Sequence, residues 1–129
     1  MHVFTLLEGE YWVCRVRGAA VRVSDALVVV RDVSGSVTVV SRGRLGGDCL
    51  GPYRVLASEE LDPDTVGFLA RVAGILAEAG VPLMAYSSVE RDYILVPSRL
   101  AQRAVEALSE NGFQVNEERR GPQRGGAPS

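Results

Sequence analysis

Two stretches of the chain combine residue types able to grip a small charged molecule. The first is Ser58-Glu59-Glu60-Leu61-Asp62-Pro63-Asp64, which carries four carboxylates and leads into a helix-period segment. A helix start has unpaired N–H donors and a partial positive charge, so it can receive a ligand carboxylate or phosphate. Gly67 follows on the expected first turn, where the missing side chain lets a ligand or a neighbouring backbone come close. The plainer alternative is that the acids are solvated charge favoured by the helix dipole, and that Gly67 relieves a packing clash. The second stretch is Ser87-Ser88-Val89-Glu90-Arg91-Asp92-Tyr93, a polar turn between apolar runs. Asp92 directly precedes Tyr93-Ile94-Leu95-Val96, and a carboxylate at a strand start can accept from a ligand ammonium. Its alternative is a turn aspartate closing on its own backbone.

Covalent and metal chemistry find little support. The sole His is His2, and a lone terminal His makes neither a triad nor a metal site. Cys14 and Cys49 lack CxxC spacing and have apolar neighbours, in Trp12-Val13-Cys14 and Cys49-Leu50. Both are expected to be free thiols packed as small hydrophobes. Acyl-phosphate hydrolysis would require a positioned Arg and Asn, and the only Asn residues are Asn111 and Asn116, late in the chain. The reading is therefore a protein that is not an enzyme, with no metal and no cofactor.

Composition narrows the partners. The 129 residues are 47% hydrophobic, enough for one modest domain or two very small ones that share a core. The formal net charge is −2 and the sequence pI about 5.4, so the basic footprint of a nucleic-acid binder is missing. All 14 basic residues are Arg, which reads as coding bias of a GC-rich source rather than an anion site. No apolar run approaches the roughly 20 residues of a spanning helix, and the start shows no secretory pattern. The expectation is a cytoplasmic protein without membrane or nucleic-acid partners.

The elements that must position the two stretches follow from periodicity. Residues 53–57 form a short β-branched and aromatic run, and Asp62-Pro63 suits the cap and first position of a helix. Val66, Leu69, Val72, Ala73 and Leu76 then make one apolar stripe, stopped by Gly80 and Pro82. Residues 83–87 and 93–96 read as strands. Ser98 caps a second helix with the stripe Leu100, Ala104, Val105 and Leu108, ended by Gly112, and residues 113–116 close the set. Strand, helix, strand, strand, helix, strand is the ferredoxin-like order, with both helices on one side of an antiparallel sheet.

Before it, residues 3–7, 10–17, 26–33 and 36–41 read as strands, the last two joined at Ser34-Gly35. Residues 37–40 are almost continuously apolar, as in a strand buried on both faces. Residues 18–25 hold at most one irregular helical turn. Gly43, Gly46, Gly47 and Gly51 mark residues 42–51 as a linker or loop. Residues 119–129 are expected to be a disordered tail.

Several runs together resemble a known family. They are Gly51-Pro52-Tyr53-Arg54-Val55-Leu56, Gly67-Phe68-Leu69-Ala70, Leu76-Ala77-Glu78-Ala79-Gly80-Val81-Pro82-Leu83-Met84-Ala85-Tyr86-Ser87-Ser88 and Asp92-Tyr93-Ile94-Leu95-Val96. They look like the small tandem ACT-domain proteins, bacterial relatives of the CASTOR-type arginine sensors and of the regulatory modules of aspartate kinase. The resemblance covers about half the chain well and extends loosely to residues 4–15. It implies an α+β fold in which a reduced, strand-rich ACT-like half, 1–50, precedes a complete ferredoxin-like ACT domain, 51–118. It also implies binding of an amino acid or related metabolite, with Asp62, Gly67, Ser87, Ser88 and Asp92 as the ligand-binding residues. The helix start at Gly67 would take the ligand carboxylate and Asp92 the ammonium. A homodimer and a regulated partner protein are expected. The alternative is a structural protein using the fold to dimerise or dock. Where the family has close to Ser-Thr-Tyr-Asp-Thr-Asp, this chain has Val89 in place of an aromatic wall and a cation at Arg91. Arg91 either favours an acidic ligand or fills the site itself.

Overall fold

The computed structural model describes residues 2–17, 21, 22, 24 and 26–119. The expected tail from 120 onward, and much of the irregular turn expected within 18–25, lie outside the described residues. The chain is a mixed α+β protein. Its strands are β1 (Val3–Leu6), β2 (Tyr11–Val16), β3 (Val28–Arg31), β4 (Val37–Ser41), β5 (Cys49–Ser58), β6 (Met84–Ser87), β7 (Asp92–Pro97) and β8 (Gln114–Glu117). The helices are α1 (Phe68–Glu78) and α2 (Ala101–Glu110), the second entered through a 3₁₀ turn, Ser98–Leu100. From β5 onward the order is strand, helix, strand, strand, helix, strand.

All the strands join one sheet, with β5 as its spine. On one edge β5 pairs antiparallel with β7, from Tyr53↔Pro97 to Ala57↔Tyr93, and β7 carries β6. On the other edge β5 pairs with β1 at Leu6↔Leu56 and Phe4↔Ser58, and with β2 at Tyr11↔Tyr53 and Cys14↔Cys49. Both are antiparallel to β5, so β1 and β2 run head to tail along it, interrupted at residues 7–10. β4 and β3 extend the sheet from β2, and β8 lies parallel to β1. The N-terminal strands therefore join the main sheet, and β1 occupies the place between β5 and β8.

Both faces of the centre are covered. The helices bury Phe68, Val72, Leu76, Ala101, Ala104 and Leu108 against Phe4, Leu6, Leu56, Ile94, Val96 and Phe113. On the opposite face Val55 and Leu95 pack with Tyr11, Val13 and Val40. Consecutive Val39 and Val40 are both fully buried, as the apolar run in β4 predicts. The β3–β4 hairpin turns at Ser34-Gly35, where the Gly35 N–H donates to the Asp32 carbonyl at 2.9 Å. Both helices end in the paired bonds of a left-handed stop. The Gly80 and Val81 N–H groups reach the Ala77 and Leu76 carbonyls at 3.0 and 2.9 Å, and the Gly112 and Phe113 N–H groups reach Ser109 and Leu108 at 3.4 and 3.0 Å.

Several expectations are corrected. The first helix starts at Phe68 and not at Asp62-Pro63. Asp62 instead closes its own turn, its Oδ1 accepting from the Asp64 N–H at 2.9 Å and its carbonyl from the Thr65 N–H at 2.8 Å. Val66 is therefore 95% exposed rather than part of the stripe, and Leu69 is 39% exposed. The buried set is Phe68, Val72 and Leu76. Ser98 makes no side-chain cap bond, because its residue opens the 3₁₀ turn. Cys49–Gly51, expected in the loop, belong to β5.

The largest correction concerns the cysteines. Cys14 and Cys49 are not free; they form a disulfide. The pair faces directly across β2 and β5, 35 residues apart in sequence. The Arg15 N–H donates to the Asp48 carbonyl at 2.9 Å, so Arg15 and Asp48 are a hydrogen-bonded pair and Cys14 and Cys49 the adjacent non-hydrogen-bonded one. Side chains approach most closely at such positions. Among the described residues no helix is long and apolar enough to cross a membrane.

Candidate functional site

The strand–helix loop after β5 and the β6–β7 turn meet to form a cleft of about 490 Å³. Its wall includes all of Asp62, Gly67, Ser87, Ser88 and Asp92, together with Leu61, Phe68, Leu69, Val89 and Arg91. The five residues that the resemblance implies thus share one cleft.

Backbone geometry makes each contribution specific. Gly67 adopts φ 86° and ψ −2°, and is the last residue before α1. This is the left-handed region, which a side chain disfavours by roughly 1–2 kcal/mol. A Cβ at Gly67 would meet no atom within 4 Å, so the glycine relieves no clash. It serves the backbone turn that enters α1. No side chain caps α1 and no acid sits in its first turn. The acids of residues 59–64 therefore do not screen the helix start through capping.

Across the cleft, the β6–β7 turn is closed by the Ser88 N–H donating to the Arg91 carbonyl at 2.9 Å. Ser88 Oγ accepts from the Glu90 and Arg91 N–H groups, each at 3.2 Å. Ser88 is thus a turn-forming residue whose hydroxyl is already engaged. Ser87 Oγ donates to Asp92 Oδ1 at 2.6 Å, which leaves the other carboxylate oxygen without a bond from this serine. The Asp92 carboxylate makes no Asx turn of the kind weighed above; the turn is closed by Ser88 instead.

Two residues outside the expected set fix the cleft's shape. Ser58, 2% exposed, accepts from the Asp92 N–H at 3.0 Å and donates to the Glu59 carbonyl at 2.8 Å. It locks the start of β7 to the end of β5. The Leu61 N–H donates to the Glu90 carbonyl at 2.8 Å, tying the two walls together. The signal for Ser58 was a small polar residue directly after a β-branched run; for Leu61 it was an apolar residue within a polar loop.

Arg91 lines the cleft with Nη2 3.6 Å from Glu60 Oε2. Glu60 is largely exposed, so the pair is loose and solvent-screened. Behind the cleft, the two Glu59 oxygens accept from His2 Nδ1 at 2.9 Å and from the Val3 N–H at 3.1 Å. The His2 hydrogen bond, opposed by desolvation and aided by the Val3 N–H, lowers the Glu59 carboxyl below its ordinary value. The His2 ring packs on Phe68 and Phe113 at centroid distances of 5.1 and 5.9 Å. His2 thus anchors β1 to the residue that starts α1. Among the described residues no group of three or more His, Cys, Asp or Glu side chains is placed to hold a metal.

The cleft can receive a carboxylate at the α1 start, an ammonium at Asp92, and an apolar or polar remainder against Leu61, Phe68 and Val89. Comparison with known proteins gives a fold and a domain. The Agobacterium tumefaciens protein Atu0741, known from a crystal structure, is similar over 92% of this chain and 95% of its own, at a TM-score of 0.77 and 18% identity. The Vibrio cholerae protein VC0802, of unknown function and described as a possible transport protein, is similar over 84% of this chain and 88% of its own, at a TM-score of 0.70 and 26% identity. A comparison with curated proteins finds no match. The ACT domain family matches residues 55–110, a span that includes every cleft residue named above. An ACT domain is therefore found at residues 55–110 of this chain.

Proposed function

We propose that the protein is a non-enzymatic regulatory module whose cleft binds an amino acid or a related zwitterionic metabolite. In this reading residues 51–118 are a complete ferredoxin-like ACT module and residues 1–50 a reduced ACT-like half. The module acts as a cytoplasmic homodimer on a regulated partner protein. The single observation that carries the reading is the convergence of an uncapped helix start and a half-buried aspartate on one cleft inside an ACT domain. The start of α1 takes the ligand carboxylate, favoured by free N–H donors and the helix dipole. Asp92 takes the ammonium, oriented by Ser87 and Ser58.

The test is a thermal-shift screen of the common amino acids at millimolar concentration. A ligand at 100 times its Kd stabilises by about 2.7 kcal/mol. Asp92→Ala is expected to abolish that shift while lowering intrinsic stability by less than about 1 kcal/mol, as for a partly exposed polar position. A screen without any shift, or an unchanged response in the variant, would overturn the reading.

The second reading is an interaction protein whose cleft region docks a partner without a small ligand. Val66 and Val89, 95% and 83% exposed on the flanks of the cleft, favour it. It predicts that Val66→Ser and Val89→Ser weaken self-association in sedimentation experiments while no amino acid affects them.

A further inference from the structure

We infer that the Cys14–Cys49 disulfide is a thiol-exchange site with a fixed direction, entered at Cys49 and leaving from Cys14. Three observations carry it. The first is access. Cys14 is fully buried, whereas Cys49 is half-buried at the start of β5, where the exposed loop of residues 42–48 ends. By residue exposure, Cys49 is the side of the bond open to an external thiolate.

The second is the electrostatic asymmetry that the loop builds around the two sulfurs. The Leu45 N–H points at Cys14 Sγ from 3.4 Å. The Leu45 and Gly46 carbonyl oxygens lie 3.8 and 3.6 Å from Cys49 Sγ. A backbone N–H stabilises a thiolate and makes its sulfur the better leaving group. Carbonyl oxygens disfavour a thiolate but accept from a thiol. Both effects favour Cys14 as the sulfur that departs, and the Leu45 N–H offsets the cost of burying its charge.

The third is that the loop is held over the pair. Arg44 sits 4.8 Å above the Trp12 ring, Ser41 Oγ donates to the Gly43 carbonyl at 2.7 Å, and Arg15 Nε donates to Asp48 Oδ2 at 2.6 Å. The donor and acceptor groups facing the sulfurs are thus presented by a tethered segment.

The co-reactant is a low-molecular-weight thiol. Its thiolate attacks Cys49 Sγ and forms a mixed disulfide there, while the S–S bond to Cys14 breaks and Cys14 departs as a thiolate stabilised by the Leu45 N–H. A second thiolate attacks the sulfur of the mixed disulfide that came from the reagent and releases Cys49, which takes up a proton and donates to the Leu45 or Gly46 carbonyl. Two thiols are oxidised to one disulfide, and the protein disulfide is reduced to two thiols.

The experiment uses the full chain, air-oxidised, treated briefly with reduced glutathione under native conditions, quenched with acid and maleimide, and mapped by peptide mass spectrometry. The expected product carries glutathione on Cys49 and maleimide on Cys14, in at least about tenfold excess over the reverse, since access and leaving-group stability act together. Glutathione found equally on both residues, or mainly on Cys14, would overturn the inference. So would complete alkylation of both cysteines in the untreated oxidised chain, or no native-state reduction at all. A second measurement uses single-thiol chains. Cys14→Ser, with Cys49 free, is expected to react with an aromatic disulfide faster than Cys49→Ser, with Cys14 free, because the burial of Cys14 outweighs the N–H that favours its thiolate. Equal rates between chains of matched near-ultraviolet circular dichroism would count against it.

Discussion

Asp92 and Gly67 contribute to the cleft through different physics, so their substitution has different signatures. Asp92 works through charge, and its replacement leaves the backbone bond from its N–H to Ser58 intact. Gly67 works through backbone conformation at φ 86° with open space where a Cβ would go. Gly67→Ala is therefore expected to lower stability by roughly 1–2 kcal/mol from the left-handed strain alone. It should also weaken the proposed amino-acid binding, because the strain acts on the backbone turn that opens α1 at the cleft. Denaturant melts and a ligand titration on the same variant separate the two effects. Glu59 adds a pH dependence. Its pKa is lowered, first by the His2 hydrogen bond, so its contribution is fully present above the ordinary carboxyl range. That contribution fades as pH falls through the lowered value. In melts taken from pH 7 downward, the stability gap between wild type and Glu59→Gln is expected to narrow below about pH 4.5. A gap that stays constant across that range would show that Glu59 does not titrate differently on folding.

At the scale of elements, what could be read in the sequence is what local chemistry encodes. The Ser34-Gly35 turn, the Gly80 and Gly112 stops and the alternation of strands and helices from β5 to β8 each depend on neighbours a few residues away. The two short segments that hold the five cleft residues were readable for the same reason, and the resemblance to the ACT family selected the five within them. The start of α1 was not, because Asp62 serves equally well as a helix cap and as the anchor of its own turn, and only the left-handed Gly67 decides between them. The cysteine pair was not either. Pairing Cys14 with Cys49 requires the register of β2 on β5, which is a property of the sheet and not of either flanking run. Two element-scale predictions follow from this. Closing a loop of 35 residues restricts the unfolded chain, so the double variant Cys14→Ser with Cys49→Ser is expected to lose about 2–4 kcal/mol in chemical denaturation. Gly74, inside α1, has an ordinary φ and no atom within 4 Å of an added Cβ. Gly74→Ala is expected to stabilise by about 0.5–1 kcal/mol, in contrast to Gly67→Ala a few residues before it.

Over the whole molecule, β1 is built into the part of the chain that follows it, between β5 and β8. The ACT domain match ends within α2, at residue 110, and among the described strands β8, which follows it, pairs only with β1. Phe4 is fully buried on β1, with ring centroids 5.8 Å from Phe68 and 5.5 Å from Phe113, and Leu6 is 6% exposed in the same core. Losing one large buried side chain costs about 2–5 kcal/mol, against a typical domain stability of about 5–15 kcal/mol. Losing two of them, together with the hydrogen-bond partner of β8 and of one edge of β5, exceeds what the remaining core can offset. A chain of residues 51–119 alone is therefore expected to lack cooperative unfolding and dispersed amide resonances. Supplying residues 2–17 as a separate peptide should restore dispersion, because that peptide carries both β1 and β2 and can reoccupy the whole exposed edge of β5. Because His2 and Phe4 also contact Phe68 at the start of α1, the restored complex is expected to recover amino-acid binding in step with β1 docking. A well-dispersed spectrum from residues 51–119 without the peptide would show instead that this segment folds by itself and that β1 is an addition to it.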